Sequence, residues 1–409
     1  MARMIQGAKG NVLVLAHRHT LINQHKELLE SVGALTDKVR VESVFTEASR
    51  LGRYAKDSVS LIIIDEAHLS EAASYKKVCK YYDCRRVLFT ATPARLDGKP
   101  LTLADTLITG ITANELIQIG AVSDYDYYAP DLNLDIDNVD TVAGEYHNGQ
   151  LTEIMCQNAI YGDVLKYYNL LGENRQAIAY CTSIKHSIKT ANMFNKNGIT
   201  AISIDGSMSQ KERNEKMEMF SKGKVQILCN CNLISEGVTL PSASVALLLR
   251  PTMSLPLFIQ QACRVLTPVE GKKAVIIDYV NNVQKHGLPT EAHKWSLTQE
   301  IEKRKTFNEK GELNIRQCEN CFRCFKTAQK CPYCGYEYKV KGRELKAVKE
   351  VELKRIEAIE RVELEQQKRA ARMEVGQCRT IAELQKIANE RGYAPGWVWQ
   401  MARIKHITR

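Results

Sequence analysis

Short, unbroken apolar runs alternate with segments of helical periodicity over the first 290 residues of the chain. The runs fall at 11–16, 40–45, 60–65 and 86–90, and again at 177–181, 200–204, 225–229, 244–249 and 273–278. Each is of strand length. A continuous apolar strand is one buried on both faces, which is how strands read in a parallel sheet covered by helices. Between the first two runs, residues 21–32 repeat their apolar positions at helical spacing, and helix-length segments separate the later runs. The alternation predicts an α/β fold class with two parallel-sheet domains. Residues 131–150, beginning Asp131-Leu132-Asn133-Leu134-Asp135, are acidic and polar, as an exposed connection is.

Beyond Asp278 the pattern changes. Residues 286–314 are polar and mixed, and five cysteines crowd 318–334. Residues 343–374 are rich in Glu, Lys and Arg without Gly or Pro, which predicts one long exposed helix laced with i,i+4 pairs. It reads first as a solvated spacer and second as a contact for nucleic acid or a partner. Near the end, Ile381, Leu384, Ile387 and Ala388 recur at helical spacing ahead of Trp397, Trp399 and Met401. That predicts a small helical module with the two Trp as its core; stacking on bases is the alternative.

With 409 residues, 44% hydrophobic and 25% charged, the chain is an ordinary globular sequence of several domains. No apolar run approaches the roughly 20 residues that span a bilayer, and neither a signal peptide nor a lipidation motif is visible. The expected setting is therefore cytoplasmic, with no membrane partner. Lys and Arg number 57 against 47 Asp and Glu, a net charge of +10 that favours polyanionic partners. Eight of the 13 cysteines are scattered in apolar or isolated contexts, as reduced thiols are, while the cluster has the pattern of a metal site.

Candidate chemistry sits where two runs stop. Leu61-Ile62-Ile63-Ile64 ends in Asp65-Glu66-Ala67-His68, and Val87-Leu88-Phe89 ends in Thr90-Ala91-Thr92-Pro93. Open α/β sheets carry their chemistry at the carboxyl ends of strands. Adjacent carboxylates there suit a site in which one holds Mg²⁺ on a nucleotide and the next orients the attacking water.

These blocks resemble superfamily 2 helicases of the DEAD/DEAH-box, phage or prophage type. Asp65-Glu66-Ala67-His68 is similar to motif II and Thr90-Ala91-Thr92 to motif III. Val12-Leu13-Val14-Leu15-Ala16-His17-Arg18 resembles motif Ia, and Ala177-Ile178-Ala179-Tyr180-Cys181-Thr182-Ser183 resembles motif IV. Ser235-Glu236-Gly237-Val238-Thr239-Leu240-Pro241 is similar to motif V, and Gln260-Gln261-Ala262-Cys263-Arg264-Val265-Leu266-Thr267-Pro268 stands in the place of motif VI. Six blocks in order cover roughly residues 10–290. The resemblance implies two RecA-like domains closing on ATP. Asp65 would bind Mg²⁺, Glu66 would orient water, and His68, Gln260 and Arg264 would belong to the catalytic set. Thr90 and Thr92 would couple nucleotide to domain movement, and Glu236 and Gly237 would contact the nucleotide. His17, Arg18, Thr182, Ser183 and Thr239 would lie along a bound strand, DNA in preference to RNA.

Two departures shape the expectation. Gly7-Ala8-Lys9-Gly10 lacks the Ser/Thr of the phosphate-cradling G-x-x-x-x-G-K-[ST] loop. The chain thus resembles a helicase that begins late, with residues 1–5 in the helix that follows that loop and an upstream Walker A fragment as an expected partner. In motif VI the family places a second Arg where Thr267 stands, and threonine supplies no charge for the transition state. The expected function is an ATP-dependent helicase or translocase of phage origin acting in the bacterial host. The alternative is a non-hydrolysing nucleic-acid-binding part of a split or decayed helicase.

The cysteines offer two readings from spacing. Cys331-Pro332-Tyr333-Cys334 is one knuckle, and both Cys318-Glu319-Asn320-Cys321 and Cys321-Phe322-Arg323-Cys324 are C-x-x-C. The resemblance to phage relatives implies Cys318, Cys321, Cys331 and Cys334 as the Zn²⁺ ligands, with Cys324 spare; four sulfurs close a structural site. The domains expected are 1–130 (first RecA-like), 131–160 (linker), 161–290 (second RecA-like), 291–316 (connector), 317–338 (zinc ribbon), 343–376 (charged helix) and 377–409 (helical module). Expected cofactors are ATP, Mg²⁺ and Zn²⁺.

Overall fold

In a computed structural model of the chain, the described residues are 1–95, 101–130, 136, 139–142, 145–231, 240–293, 295–298, 315–338, 378–391 and 396–404. They fall into two units, Met1–Glu337 and Tyr338–Arg409. Two all-parallel sheets carry the first unit, as the apolar runs predict.

The first sheet has strands β1 (Val12–Ala16), β2 (Val39–Ser43), β3 (Leu61–Ile64) and β4 (Arg85–Leu88) in the order β2-β1-β3-β4. Helices α1 (Ala2–Gly7), α2 (His19–Ser31), α3 (Val44–Arg50) and α4 (Ala73–Tyr81) accompany it. Strand side chains alternate between faces. Val12, Val14 and Ala16 accordingly pack with Ile5, Leu21, Ile22 and Leu29 on one side, while Leu13 and Leu15 pack with Val44, Tyr75 and Val78 on the other. Each Val, Leu or Ile side chain among them, fully buried, contributes about 1.5–3 kcal/mol. A buried polar knot on this side centres on Glu47, 1% exposed, which accepts from Arg40 at 3.0 Å and from the Tyr82 hydroxyl at 2.5 Å.

The second sheet contains β5 (Tyr125–Tyr128), β8 (Ala177–Tyr180), β9 (Ala201–Ile204), β10 (Ile227–Asn230), β11 (Val245–Leu248) and β12 (Ala274–Asp278), ordered β5-β12-β11-β8-β10-β9. A two-stranded hairpin, β6 (Thr141–Val142) with β7 (Glu145–Tyr146), lies between β5 and β8 in the chain. The helices are α5 (Ala113–Gln118), α6 (Asn148–Met155), α7 (Asn158–Leu171), α8 (Ile184–Lys196), α9 (Gln210–Ser221), α10 (Leu255–Cys263) and α11 (Asn282–His286). Side-chain caps start several of them: Ser183 on α8, Ser254 on α10, and a full capping box of Ser209 with Glu212 on α9.

The boundary between the sheets differs from the expected one at 130. Tyr125–Tyr128 pairs with β12 in the second sheet, Ala274 beside Tyr125 and Ile277 beside Tyr128. A four-residue strand with buried Tyr127 is bound by the edge it can pair with, and sequence position does not reveal which sheet that is. The stretch 131–160 is likewise more than an exposed connection. Leu151 and Met155 of α6 are buried, and Glu145 accepts from Thr252 Oγ1 at 2.5 Å and Met253 N–H at 2.7 Å.

After α11, β13 (Ile315–Gln317) and β14 (Cys324–Lys326) form an antiparallel pair. Ile315 and Cys324 enter the core of the second sheet. In the second unit, α12 (Ile381–Arg391) and α13 (Trp397–Ile404) enclose Cys378, Leu384, Ile387, Ala388, Val398 and Ala402. Val398 rather than Trp399 is the inward residue there, since Trp399 is 54% exposed. The expected charged helix at 343–376 lies outside the described residues. No helix of the described residues is long and apolar enough to cross a membrane.

Candidate nucleotide and metal sites

Parallel pairing brings the ends of β1, β3 and β4 to one edge, with Ile64 beside Leu15 and Leu88. The chain turns sharply there. Asp65 N–H donates to Leu15 O at 3.2 Å and Ala67 N–H to Phe89 O at 2.9 Å, and Glu66 between them takes a left-handed conformation, φ 53 and ψ 60. Non-glycine residues rarely adopt that region, so bonds on both sides hold the turn. Each carboxylate meets an imidazole. Asp65 Oδ2 lies 2.8 Å from His25 Nε2 of α2, and Glu66 Oε2 lies 3.4 Å from Nδ1 of the buried His68. Both carboxylates keep 23% of their side-chain surface open. Two hard oxygen donors at a partly open edge fit Mg²⁺, which takes one or two carboxylates together with substrate phosphates.

The Thr-Ala-Thr turn follows directly from Phe89. Thr90 Oγ1 accepts the Thr92 N–H at 3.1 Å and donates to Thr92 O at 3.0 Å. Thr92 is buried, and its hydroxyl has no hydrogen-bond partner among the described residues. An orphaned hydroxyl is costly unless a ligand or a movement satisfies it. Motif II and the segment beyond motif III are also joined by Glu71, which sequence reading missed. Its carboxylate accepts from Thr102 Oγ1 at 2.7 Å, from Thr102 N–H, and from Leu103 N–H at 3.3 Å, and it pairs with Lys76 at 2.7 Å. Burial pushes this carboxyl up, but Lys76 and Thr102 outweigh it and hold it below the usual range. A lone Glu in a polar stretch gives no sign of such a role.

His17 and Arg18 follow β1 and are half-buried; Arg18 is the N-cap residue of α2, and His17 meets exposed Phe45 edge-on at 6.3 Å. On the second sheet, Ser183 accepts the His186 N–H at 3.2 Å and keeps its own proton for another acceptor. Thr182 does not fit its expected place along a strand. It is 1% exposed, and its hydroxyl lies 3.1 Å from His186 Nδ1 and 3.3 Å from Thr152 Oγ1. Its N–H also turns to His186 Nδ1, at 3.3 Å. A side chain so enclosed anchors the start of α8 through His186. Glu236, Gly237 and Thr239 lie outside the described residues.

Motif VI runs through α10 into a single 3₁₀ turn, Arg264–Leu266. Gln260 Oε1 is buried with no hydrogen-bond partner among the described residues. Arg264 is partly exposed, and Thr267 holds its carbonyl with Oγ1 at 3.4 Å. Thr267 O accepts from Ser123 Oγ and from Lys272 Nζ, both at 3.1 Å. Lys272 also reaches Pro241 O at 3.1 Å, and burial brings its ammonium down to about 8.

The sulfurs of Cys318, Cys321, Cys331 and Cys334 lie within 4.8 Å of one another. Cys318 and Cys334 are 3.6 Å apart and Cys321 and Cys331 3.7 Å. A tetrahedral Zn–S bond of about 2.3 Å implies edges of about 3.8 Å, so the four thiols fit zinc. Asn320 and Cys321 N–H donate to Cys318 Sγ at 3.4 and 3.5 Å, and the Asn320 amide holds the Cys334 thiol below its usual value. Cys324, in contrast, is 2% exposed in the α/β core. The module is fastened to the second sheet by an antiparallel bridge between Tyr128 and Arg323, and Arg323 Nη2 donates to Asp126 at 2.9 Å.

Comparisons agree with this arrangement. Residues 1–95 match the family model described as type III restriction enzyme, res subunit, and residues 161–267 match helicase conserved C-terminal domain. The chain is 35% identical over 350 residues to a 51.5 kDa protein of Lactococcus phage (isolate 7-9), spanning 84% of this chain and 76% of that protein. It is 28% identical over 254 residues to IRC3 of Saccharomyces cerevisiae, named as a candidate ATP-dependent helicase, spanning 59% of this chain and 37% of that one. Its fold is similar to a fragment of a candidate HsdR subunit of a type I restriction enzyme from Vibrio vulnificus YJ016. That match has a TM-score of 0.51 and 18% identity, and covers 68% of this chain and 54% of the other.

Proposed function

Because the chain belongs to the superfamily 2 helicases of the phage type, we propose that it couples ATP hydrolysis to movement along single-stranded DNA. The observation that carries the reading is the turn at the end of β3. Asp65 and Glu66 stand at an open sheet edge, tied to the start of the Thr-Ala-Thr turn through Ala67 N–H and Phe89 O. Asp65 would hold magnesium there with ATP, and the ion would offset charge developing on the phosphates. Asp65 has Oδ1 for it while His25 fixes Oδ2. Glu66, oriented by buried His68, would hold the attacking water. Thr90, Thr92 and Glu71 would carry a change at motif II into the segment beyond motif III. Gln260 and Arg264 would face phosphate from the second domain, and His17, Arg18 and Ser183 would touch the strand's backbone. DNA is favoured over RNA by the resemblance to phage helicases alone.

Thr267 supports a second reading, a nucleic-acid-binding helicase body with little turnover, since no guanidinium stands at that position. One assay separates the two. Steady-state ATP turnover is measured with and without single-stranded DNA or RNA, for the wild type, Glu66→Gln and Thr267→Arg. The first reading gives strand-stimulated turnover that Glu66→Gln abolishes and Thr267→Arg raises by one or more orders of magnitude. Strand binding without turnover in every variant decides for the second.

A further inference from the structure

The two knuckles of the cysteine cluster share one hydrogen-bond pattern. In the first, Phe322 N–H donates to Cys318 O and Cys318 N–H to Arg323 O, both at 2.9 Å. In the second, Gly335 N–H donates to Cys331 O at 3.0 Å and Cys331 N–H to Tyr336 O at 2.8 Å. Both patterns force the residue after the second cysteine into the left-handed region, with φ 72 at Gly335 and φ 61 at Phe322. Glycine adopts this without cost, whereas a bulky side chain there is an outlier. The same turn therefore asks for glycine twice and receives it once.

Backbone strain of this kind persists where something else favours the residue. Core packing does not explain Phe322, a residue 38% exposed that belongs to none of the described hydrophobic cores. Two more rings on the module are equally open, Tyr333 at 48% and Tyr336 at 37%. Residues 315–338 carry four basic side chains against two acidic ones, within a chain of net charge +10. Lys326 and Lys330 pair with Glu291 at 3.7 Å and Glu337 at 2.5 Å, but both ammonium groups stay largely exposed, and such surface pairs exchange readily for a phosphate. Open rings on a basic module built from two cysteine knuckles match what single strands need. Every base offers a π face to stack, and the backbone beside it needs positive charge.

We propose that Phe322 stacks on an unpaired base, making the cysteine module a second contact for single-stranded nucleic acid. This rests on the reading of the chain as a helicase that follows a strand. A protein partner would cover the ring as well, but the module's excess of basic residues and the chain's charge favour a polyanion.

Binding of fluorescein-labelled oligothymidylate to the full zinc-loaded chain, followed by anisotropy, tests it. Phe322→Gly removes the ring and the strain together. Its affinity falls about 5- to 100-fold, the loss of one base–aromatic stack, while metal content is unchanged and the thermal midpoint does not fall. Phe322→Trp keeps the affinity. The slope of log affinity against log salt stays the same, because phenylalanine neutralises no phosphate. A changed slope in Phe322→Gly overturns the stacking role, since displaced charges then account for the loss. Equal affinity in Phe322→Gly and wild type overturns it too and leaves the helicase reading standing. Absence of binding by the wild type overturns both.

Discussion

At the scale of single residues, buried imidazoles do much of the positioning. His186 is 1% exposed, and its Nδ1 accepts from the Thr182 N–H, so the proton of the neutral ring sits on Nε2. Burial, with Lys189 adding to it, brings His186 down to about 4. The unfolded chain binds that proton near pH 6.5 and the folded chain does not. Stability from this group is therefore complete above pH 6.5 and is lost as pH falls towards 4. His286, stacked on Phe258 at 5.2 Å and also lowered to about 4 by burial, acts with the same sign. Urea unfolding at pH 7.5 and 5 should show a loss of about 2 kcal/mol per buried histidine at the lower pH. His186→Gln should lose its share of that dependence. An unchanged pH slope in this variant would assign the dependence elsewhere.

At the scale of elements, the cysteine module and the second sheet are one construction. β14 contributes Cys324 to the α/β core, Ile315 of β13 joins it, and Arg323 donates to Asp126 of β5. Lys273 also pairs with Asp126, at 2.8 Å. Burial raises the Asp126 carboxyl, but Arg323 and Lys273 more than reverse this and hold it below the usual range. Metal at the four thiols would thus support more than its own knuckles. Cys331→Ser should lose zinc and Cys324→Ser should keep it, by metal analysis of the purified variants. Cys324→Ser should still cost about 1–3 kcal/mol, because a hydroxyl replaces a thiol in an apolar core. Chelation of the wild type should lower the unfolding midpoint of the second α/β domain. A domain indifferent to chelation would show that β13 and β14 dock without the metal.

At the scale of the whole molecule, the net charge of +10 governs encounter with a polyanion. Contacts to several phosphates release as many counterions, so the logarithm of affinity for single-stranded DNA should fall linearly with the logarithm of salt, by about 0.7 per phosphate engaged. A binding isotherm insensitive to salt would mean that stacking or base contacts dominate instead.

Much of this protein was legible in its sequence. Apolar runs of strand length located nine of the ten strands of the two parallel sheets, all but β5, because strands covered by helices on both faces are largely apolar. Carboxylates ending such a run, as Asp65 and Glu66 do, marked the candidate site for a related reason: a strand covered on both faces usually turns polar where it ends. C-x-x-C spacing similarly exposed the cysteine cluster. Pairing and enclosure were not legible, since both depend on residues distant in the chain. The membership of Tyr125–Tyr128 in the second sheet is set by the free edge of β12, and nothing local encodes it. Thr182 reads as a surface hydroxyl until His186 and Thr152 close over it, and Glu71 reads as solvated until Thr102 reaches its carboxylate. Cys324 is a fifth cysteine in sequence and a core residue in space, because β14 must bury one face against the sheet it joins. Local pattern fixes which residues are apolar and where strands end; only the fold decides which polar groups meet.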